Sequence, residues 1–475
     1  VFTPRSDREK QRSVGLARDL LRFVEAARNT TNIETFEPQV PIRIIVFEKK
    51  RDFGRFTDRR GGVGGLIQDR DPGCWTLVTY EGRDLLENTF HEYSHYLFRN
   101  SGRAYPRWFD EGFAELISTM SFTRGKALLG RAPVRRLLTL QSHPGWIPVE
   151  RLVGIRQYPK SEARVDLFYA EGWLLAHYLH TAHLFGEDRL IEAMTRYFDL
   201  LHDGARWRAA YRETFPISVD ELDARLRRHR DRVGARPLVL PAVAVEIGEP
   251  DTRALSLVRV RPARVARMLG ESSLMLSTRG PDQAERFLEI SIAREPDDAR
   301  SHANLALAHA LRGDLERAET AAARAKVLDA KGVRVLGAVG AVALGRARAA
   351  DPLDREQLAV ARRAYWDLIE NHPNSLAGYL GLGRSYVAVD DDPRVGIEAL
   401  LKARSMLVGY GDLDLAKLYL QSGRARDAYG ALWNVLRWEA GSRSAEEAEV
   451  LLEELRRRLR ETPAASSDGL SPSSE

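Results

Sequence analysis

The feature that most narrows the folds open to this chain is a recurrence of small side chains in its second half. From Val265, and again from Ala299, 34 residues on, alanine, serine or glycine returns where two helices of a pair would have to touch. The first unit offers Ser272, Ala284 and Ser291 and closes on Pro296; the second offers Ala306, Ala318 and Ala325. Further on come Tyr379, Leu382, Gly383, Tyr386 and Ala403, then Ala416, Gly423 and Ala428. Ala361, Tyr365 and Pro373 mark the second helix of a unit between them. Small residues at fixed places let paired helices approach closely, and a unit this short buries its apolar face only against its neighbours. The expectation is a stack of helix pairs.

This pattern resembles the tetratricopeptide repeat (TPR), with about five units over residues 265–440 and at least one of them lengthened. The alternative is an irregular α-helical domain without true repeats. Ser444–Arg460, carrying Glu446, Glu447, Glu449, Glu453, Glu454 and a run of arginines, reads as a polar helix capping the stack. The resemblance implies a groove that binds a partner or substrate protein.

The first half is patterned differently, and 475 residues exceed one ordinary core. Residues 1–35 read as a helix with Leu16, Leu20, Leu21, Val24 and Ala27 at helical spacing. Val40–Phe47 and Cys74–Tyr80 read as strands, with the Gly61–Gly65 run as a flexible loop between them. No Gly-Lys-Ser/Thr follows those glycines, so they are not a phosphate cradle. Residues 83–232 read as helical, broken at 102–105 and 141–148. Val243–Ile247 and Leu255–Val260 read as short strands inside a linker. The division is therefore 1–232 for a first domain, 233–264 for a linker with short strands, 265–460 for the repeats and their cap, and 461–475 for a disordered Ser/Pro/Gly-rich tail.

Composition excludes several classes. Apolar residues at 44% and charged residues at 29% are those of a folded chain. The longest apolar runs, Leu238–Ile247 and Val335–Leu344, are about half a membrane span. The net charge of +5 is spread among interleaved acids and bases, which is no footprint for nucleic acid. The single cysteine, Cys74, excludes an intrachain disulfide and a cysteine zinc cage, and reads as a strand residue. The chain opens on Val1 rather than Met, read as loss of an upstream export signal or as trimming.

The chemistry-bearing run is His91-Glu92-Tyr93-Ser94-His95. On a helix, residues four apart share a face, so two imidazoles can serve one zinc ion while Glu92 is offset toward its water. A third ligand is needed. After the break at 101–105, a second helix is expected to start at Pro106 and to read Arg107-Trp108-Phe109-Asp110-Glu111-Gly112-Phe113-Ala114-Glu115. Trp108 and Phe113 are expected to pack it against the histidine helix. The plain reading of the same residues is two surface histidines and the first-turn acids Asp110 and Glu111.

H-E-x-x-H followed by W-x-x-E-G-x-A-E resembles the gluzincin metallopeptidases, the group of thermolysin and the zinc aminopeptidases. The nearest likeness is to bacterial peptidase-MA-like domains fused to TPRs, and it covers residues 75–185. The resemblance implies an α+β fold: a thermolysin-like domain of a small mixed sheet plus helices, then an all-α TPR superhelix. It implies Zn2+ held by His91, His95 and Glu111, with Glu92 as general base. It further implies Glu115 as the carboxylate that orients the first zinc histidine, against a plain surface charge. Tyr169 is the candidate donor to the oxyanion, with Tyr158 and His177 as competitors and a core aromatic as the alternative.

The spacing to Glu111 is shorter than in the zinc aminopeptidases, and no Gly-Ala-Met-Glu-Asn segment is present. The implied activity is therefore endopeptidase-like cleavage of protein or peptide substrates. In related folds the strand at Cys74–Tyr80 lies at the sheet edge and pairs with substrate, although it could equally be central. His177, His180 and His183 read as a polar helix face. The other function consistent with the sequence is a catalytically silent scaffold acting through its TPRs, with the intact Glu92 favouring an enzyme. The expected location is the bacterial cell envelope or outside.

Overall fold

The protein is described from a computed structural model. The residues described are 7–31, 42–57, 65–70, 73–79, 85–100, 105–123, 125–155, 158–159, 161–187, 189–202, 205–235, 243–248, 258–276, 280–407, 409–438 and 443–461. The tail expected to be disordered, the loop at 61–64 and the strand expected at Leu255–Val260 lie wholly or mostly outside them.

The first unit begins with α1 (Asp7–Thr31), β1 (Ile42–Phe47), α2 (Lys50–Thr57), β2 (Gly65–Arg70) and β3 (Gly73–Thr79). β3 lies in the middle of the sheet, parallel to β1 (Ile42 opposite Cys74, Phe47 opposite Thr79) and antiparallel to β2 (Gly65 opposite Val78, Arg70 opposite Gly73). The strand read as a possible substrate-pairing edge is therefore central. Trp75 through Thr79 are all buried, as a strand covered on both faces requires. β2 occupies an edge, and its chain, opening at Gly65, was not expected to be a strand.

Next come α3 (Leu85–Asn100), α4 (Arg107–Ser118), a hairpin of β4 (Ser121–Thr123) and β5 (Lys126–Leu129), α5 (Val134–Ser142), α6 (Val149–Gly154), α7 (Glu162–Thr181), α8 (Arg189–His202), α9 (Trp207–Thr214) and α10 (Val219–Ala235). Pro106 is the extended residue before α4 rather than its first helical residue. The β4–β5 hairpin interrupts the part of 83–232 read as helical between the breaks expected at 102–105 and 141–148. β6 (Val243–Glu246) pairs antiparallel with β5, so part of the stretch read as linker is bonded into the first unit's second sheet. The core is aromatic: Phe23 stacks on Phe90 at 4.3 Å, and Phe98, Phe109, Phe113 and Phe198 form a continuous cluster with Trp108. Trp108 and Phe113 are buried there, as expected of helix-packing residues.

The second half is a run of helix pairs: α11 (Pro262–Ser273) with α12 (Gly280–Arg294), α13 (Ala299–Leu311) with α14 (Leu315–Leu328), α15 (Val333–Ala349) with α16 (Arg355–Asn371), α17 (Leu376–Arg384) with α18 (Arg394–Met406), and α19 (Asp412–Gln421) with α20 (Ala425–Trp438). A last helix, α21 (Arg443–Glu461), packs on α20. Local chemistry starts several of these helices. Asp314, Asp354 and Ser375 are N-caps whose side chains accept backbone N–H groups of α14, α16 and α17.

Ser272, Ala284, Ser291, Ala306, Ala318, Ala325, Ala361, Ala403, Ala416 and Ala428 are fully buried, as the close-approach argument requires. Gly423 is different. It sits at φ +71 in the turn after α19, with open space around it, so its role is a left-handed turn rather than a helix contact.

The two halves meet where Phe53, Phe56 and Leu77 of the first unit pack on Leu269, Leu276 and Phe287. Gln283 Nε2 donates to the Phe56 carbonyl at 3.1 Å across this seam. Among the described residues, no helix is long and apolar enough to cross a membrane.

Candidate metal centre

The histidines stand on α3, which Phe90, Leu97 and Phe98 anchor in the core. His91 and His95, one turn apart, turn their Nε2 atoms toward each other at 3.2 Å. α4 packs alongside and brings in Glu111, 3% exposed, whose Oε2 is 3.5 Å from both Nε2 atoms. The three side chains thus converge at one point. Tetrahedral zinc with ligand bonds of about 2.0–2.1 Å has ligand–ligand edges of about 3.3–3.4 Å. The observed triangle has that size. Two imidazole nitrogens and one carboxylate oxygen also suit zinc far better than calcium or magnesium, which take oxygen ligands. Tyr158 Oη donates to Glu111 Oε1, whereas the buried Oε2, which faces the histidines, has no hydrogen-bond partner among the described residues. The donor set fits a zinc ion.

The outer edges of the rings are held too. His95 Nδ1 is 2.9 Å from Asp110 Oδ1. His91 Nδ1 is 3.6 Å from Glu115 Oε1, close but beyond a hydrogen bond. Glu115 is itself fixed by Arg136 Nη2 at 2.6 Å, and Arg136 Nη1 reaches Asp166 Oδ1 at 3.2 Å. A proton on each Nδ1 leaves both Nε2 lone pairs facing the common point.

Burial disfavours charge on all three converging groups, but their neighbours outweigh it. Asp110 and Glu111 lift His95 well above its ordinary value. Glu111 and Glu115 raise His91 more modestly. His95 and His91 hold the Glu111 carboxyl well below the usual range. Three carboxylates and one guanidinium around two imidazoles leave an excess of negative charge, which suits a cation.

The tyrosines come from the next layer. α7 crosses α4 where Gly112 meets Gly172: a Cβ on Gly112 would stand 2.2 Å from the Gly172 carbonyl oxygen. That close crossing sets Tyr169 beside the site, its ring stacked on His91 with centroids 6.3 Å apart. Tyr158 stacks parallel to Tyr169 at 6.2 Å and lies under the Arg107 guanidinium at 4.3 Å. Burial and then the Glu111 carboxylate raise the titration of both phenols, so each keeps its proton. Glu92 is half-buried next to His91.

His177, the third oxyanion competitor, lies elsewhere. It is fully buried, with Nδ1 2.8 Å from His229 Nε2 and Nε2 3.0 Å from the Gly130 carbonyl. Burial holds it near 3 and His180 near 4, both neutral. The face read as polar is therefore largely buried, with only His183 exposed. The imidazoles at 177 and 180 find carbonyl partners, Gly130 and Ala176.

No family model and no curated protein matches the chain. Solved structures with some likeness include a thermophilic TPR protein of Thermus thermophilus, with 18% identity over 41% of this chain and 99% of that one, TM-score 0.36. Yeast Tom70 is another, with 13% identity over 80% of this chain and 76% of that one, TM-score 0.33. At these scores the likeness carries neither a family nor a function.

Sequence reasoning missed the roles of two residues of the site, Asp110 and Arg136, and one contact of Tyr158. Asp110 carried a signal, because adjacent acids on one helix point about 100° apart and can serve opposite edges of a ring. Arg136 carried none: it arrives on α5, 21 residues beyond the carboxylate it holds. The bond from Tyr158 to Glu111, 47 residues apart, was equally invisible in the pattern.

Proposed function

We propose that the protein is a zinc-dependent peptide-bond hydrolase of endopeptidase type, with its helix pairs binding a protein partner or substrate. The observation that carries the reading is the triangle of His91 Nε2, His95 Nε2 and Glu111 Oε2, with sides of 3.2, 3.5 and 3.5 Å. His91, His95 and Glu111 would hold the ion; when bound, zinc supplies a Lewis acid that activates water and polarises a carbonyl.

The remaining roles belong to the chain's own groups. Glu92 takes a proton from the attacking water and returns it to the leaving nitrogen. Asp110 holds the outer edge of His95, Glu115 lies beside that of His91 as a nearby negative charge, and Arg136 fixes Glu115. Tyr169, with Tyr158 beside it, offers a protonated phenol to the oxygen that gains charge.

A second reading is a scaffold whose first unit is silent and whose work is protein binding. It draws on the five helix pairs and the capping helix, which span Pro262 to Glu461. Glu92→Gln separates the two. Incubation with a peptide library, read by mass spectrometry, should show cleavage by the wild type, and the variant should lose that cleavage while keeping its zinc. A zinc-loaded wild type that cleaves nothing supports the scaffold.

A further inference from the structure

The outer side of α16 carries an arrangement that neither helix pairing nor the metal site uses. Arg355, Ala359, Arg362 and Trp366 follow one another at helical spacing along one face, and an open cleft of about 500 Å³ lies against them. Leu358 and Ala359 floor it, Trp366 walls it, and Arg355, Arg362 and Arg363 rim it. Trp366 is 50% exposed. A large aromatic at the surface beside arginines is the composition found at the energetic centres of protein interfaces.

Charge defines the occupant further. Asp391 is the only carboxylate lining the cleft, and it is shared by Arg355 (2.9 Å) and Arg362 (2.8 Å). Three guanidinium groups against one carboxylate leave net positive charge on an apolar floor. Arg362 is pre-organised: it lies over the Tyr386 ring at 3.8 Å and donates to the Ser385 carbonyl at 3.1 Å. Arg355 and Arg363 remain exposed at the rim. A nucleic acid would need cations tracking its backbone over several nucleotides, and three guanidinium groups around one cleft are too few for that. A carboxylate beside one apolar side chain matches the size and charge of the cleft, which the exposed Glu356, Asp367 and Glu370 do not line.

We infer that this cleft docks an acidic polypeptide segment bearing a bulky apolar side chain. The apolar group rests on Leu358, Ala359 and Trp366, and a neighbouring carboxylate pairs with Arg363 and the outer edge of Arg355. The site is independent of the metal centre and is tested without hydrolysis.

The test is fluorescence anisotropy on the full chain with three labelled probes: a hexapeptide of glutamates around Leu-Phe, the same peptide with lysines for glutamates, and an oligothymidylate. The acidic probe should bind, and the lysine probe should not. Trp366→Ala and Arg363→Glu should each weaken binding at least about tenfold without lowering the melting temperature. Arg363 is exposed, so its variant decides the matter even if Trp366→Ala perturbs folding. Failure of the acidic probe to bind, binding indifferent to Arg363→Glu, or tighter binding of oligothymidylate through the same residues would overturn the inference.

Discussion

Asp110 lies 2.9 Å from Nδ1 of His95, on the ring edge opposite the one that faces Glu111. Two consecutive residues of α4 thereby serve the two edges of one imidazole. Asp110 fixes the tautomer and the orientation of the ring, and Glu111 completes the triangle of donors.

Removing the charge of Asp110 should therefore weaken metal binding without removing a ligand. Asp110→Asn is expected to lower zinc affinity about 10–100-fold. Glu115→Gln should cost less, because Glu115 stands 3.6 Å from His91 Nδ1. Chelator competition measures both, and wild-type affinity in Asp110→Asn would refute the role assigned to it.

The crossing of α4 and α7 gives a second prediction. Gly112→Ala places a Cβ 2.2 Å from a backbone oxygen that cannot yield, so α4 must shift. Destabilisation of about 3 kcal/mol is expected, with loss of zinc affinity as Glu111 moves. Gly172→Ala, whose Cβ would meet the Trp108 carbonyl at 3.0 Å, should be milder. Chemical denaturation of the two variants checks the order.

A third prediction concerns pH. Glu271 is 1% exposed and takes Nη2 of both Arg300 and Arg334 at 2.6 Å. Burial alone would raise its titration, but Arg334 and Arg300 bring it down to about 2. A carboxyl depressed on folding contributes stability that is complete above its unfolded value near 4.5 and is lost as pH falls toward 2. Glu271→Gln should cost about 3 kcal/mol at neutral pH, and the gap to wild type should close over that window. Denaturation at a series of pH values measures it, and a gap independent of pH would contradict the pairing.

How much of this was legible in the sequence follows from the range of each interaction. The helix pairs could be read because their spacing repeats: Ala306, Ala318 and Ala325 are small for the same packing reason as Ser272, Ala284 and Ser291. His91, His95 and Glu111 could be proposed because two short helices suffice to bring them together. The three-residue strand Ser121–Thr123 is too short to show a period, and β2 was hidden behind a glycine run. The central position of β3 depends on partners on both sides, which no local pattern records. His177 was misread because a histidine amid apolar helix residues looks polar until its carbonyl partner is seen.

The most direct test of the central claim is the metal content of the purified full chain after zinc loading, by mass spectrometry, for wild type, His91→Ala and Glu111→Ala. About one zinc per chain in the wild type, lost or sharply reduced in both variants, is the predicted result. No retained zinc in the wild type, or an unchanged content in Glu111→Ala, would contradict the proposed centre.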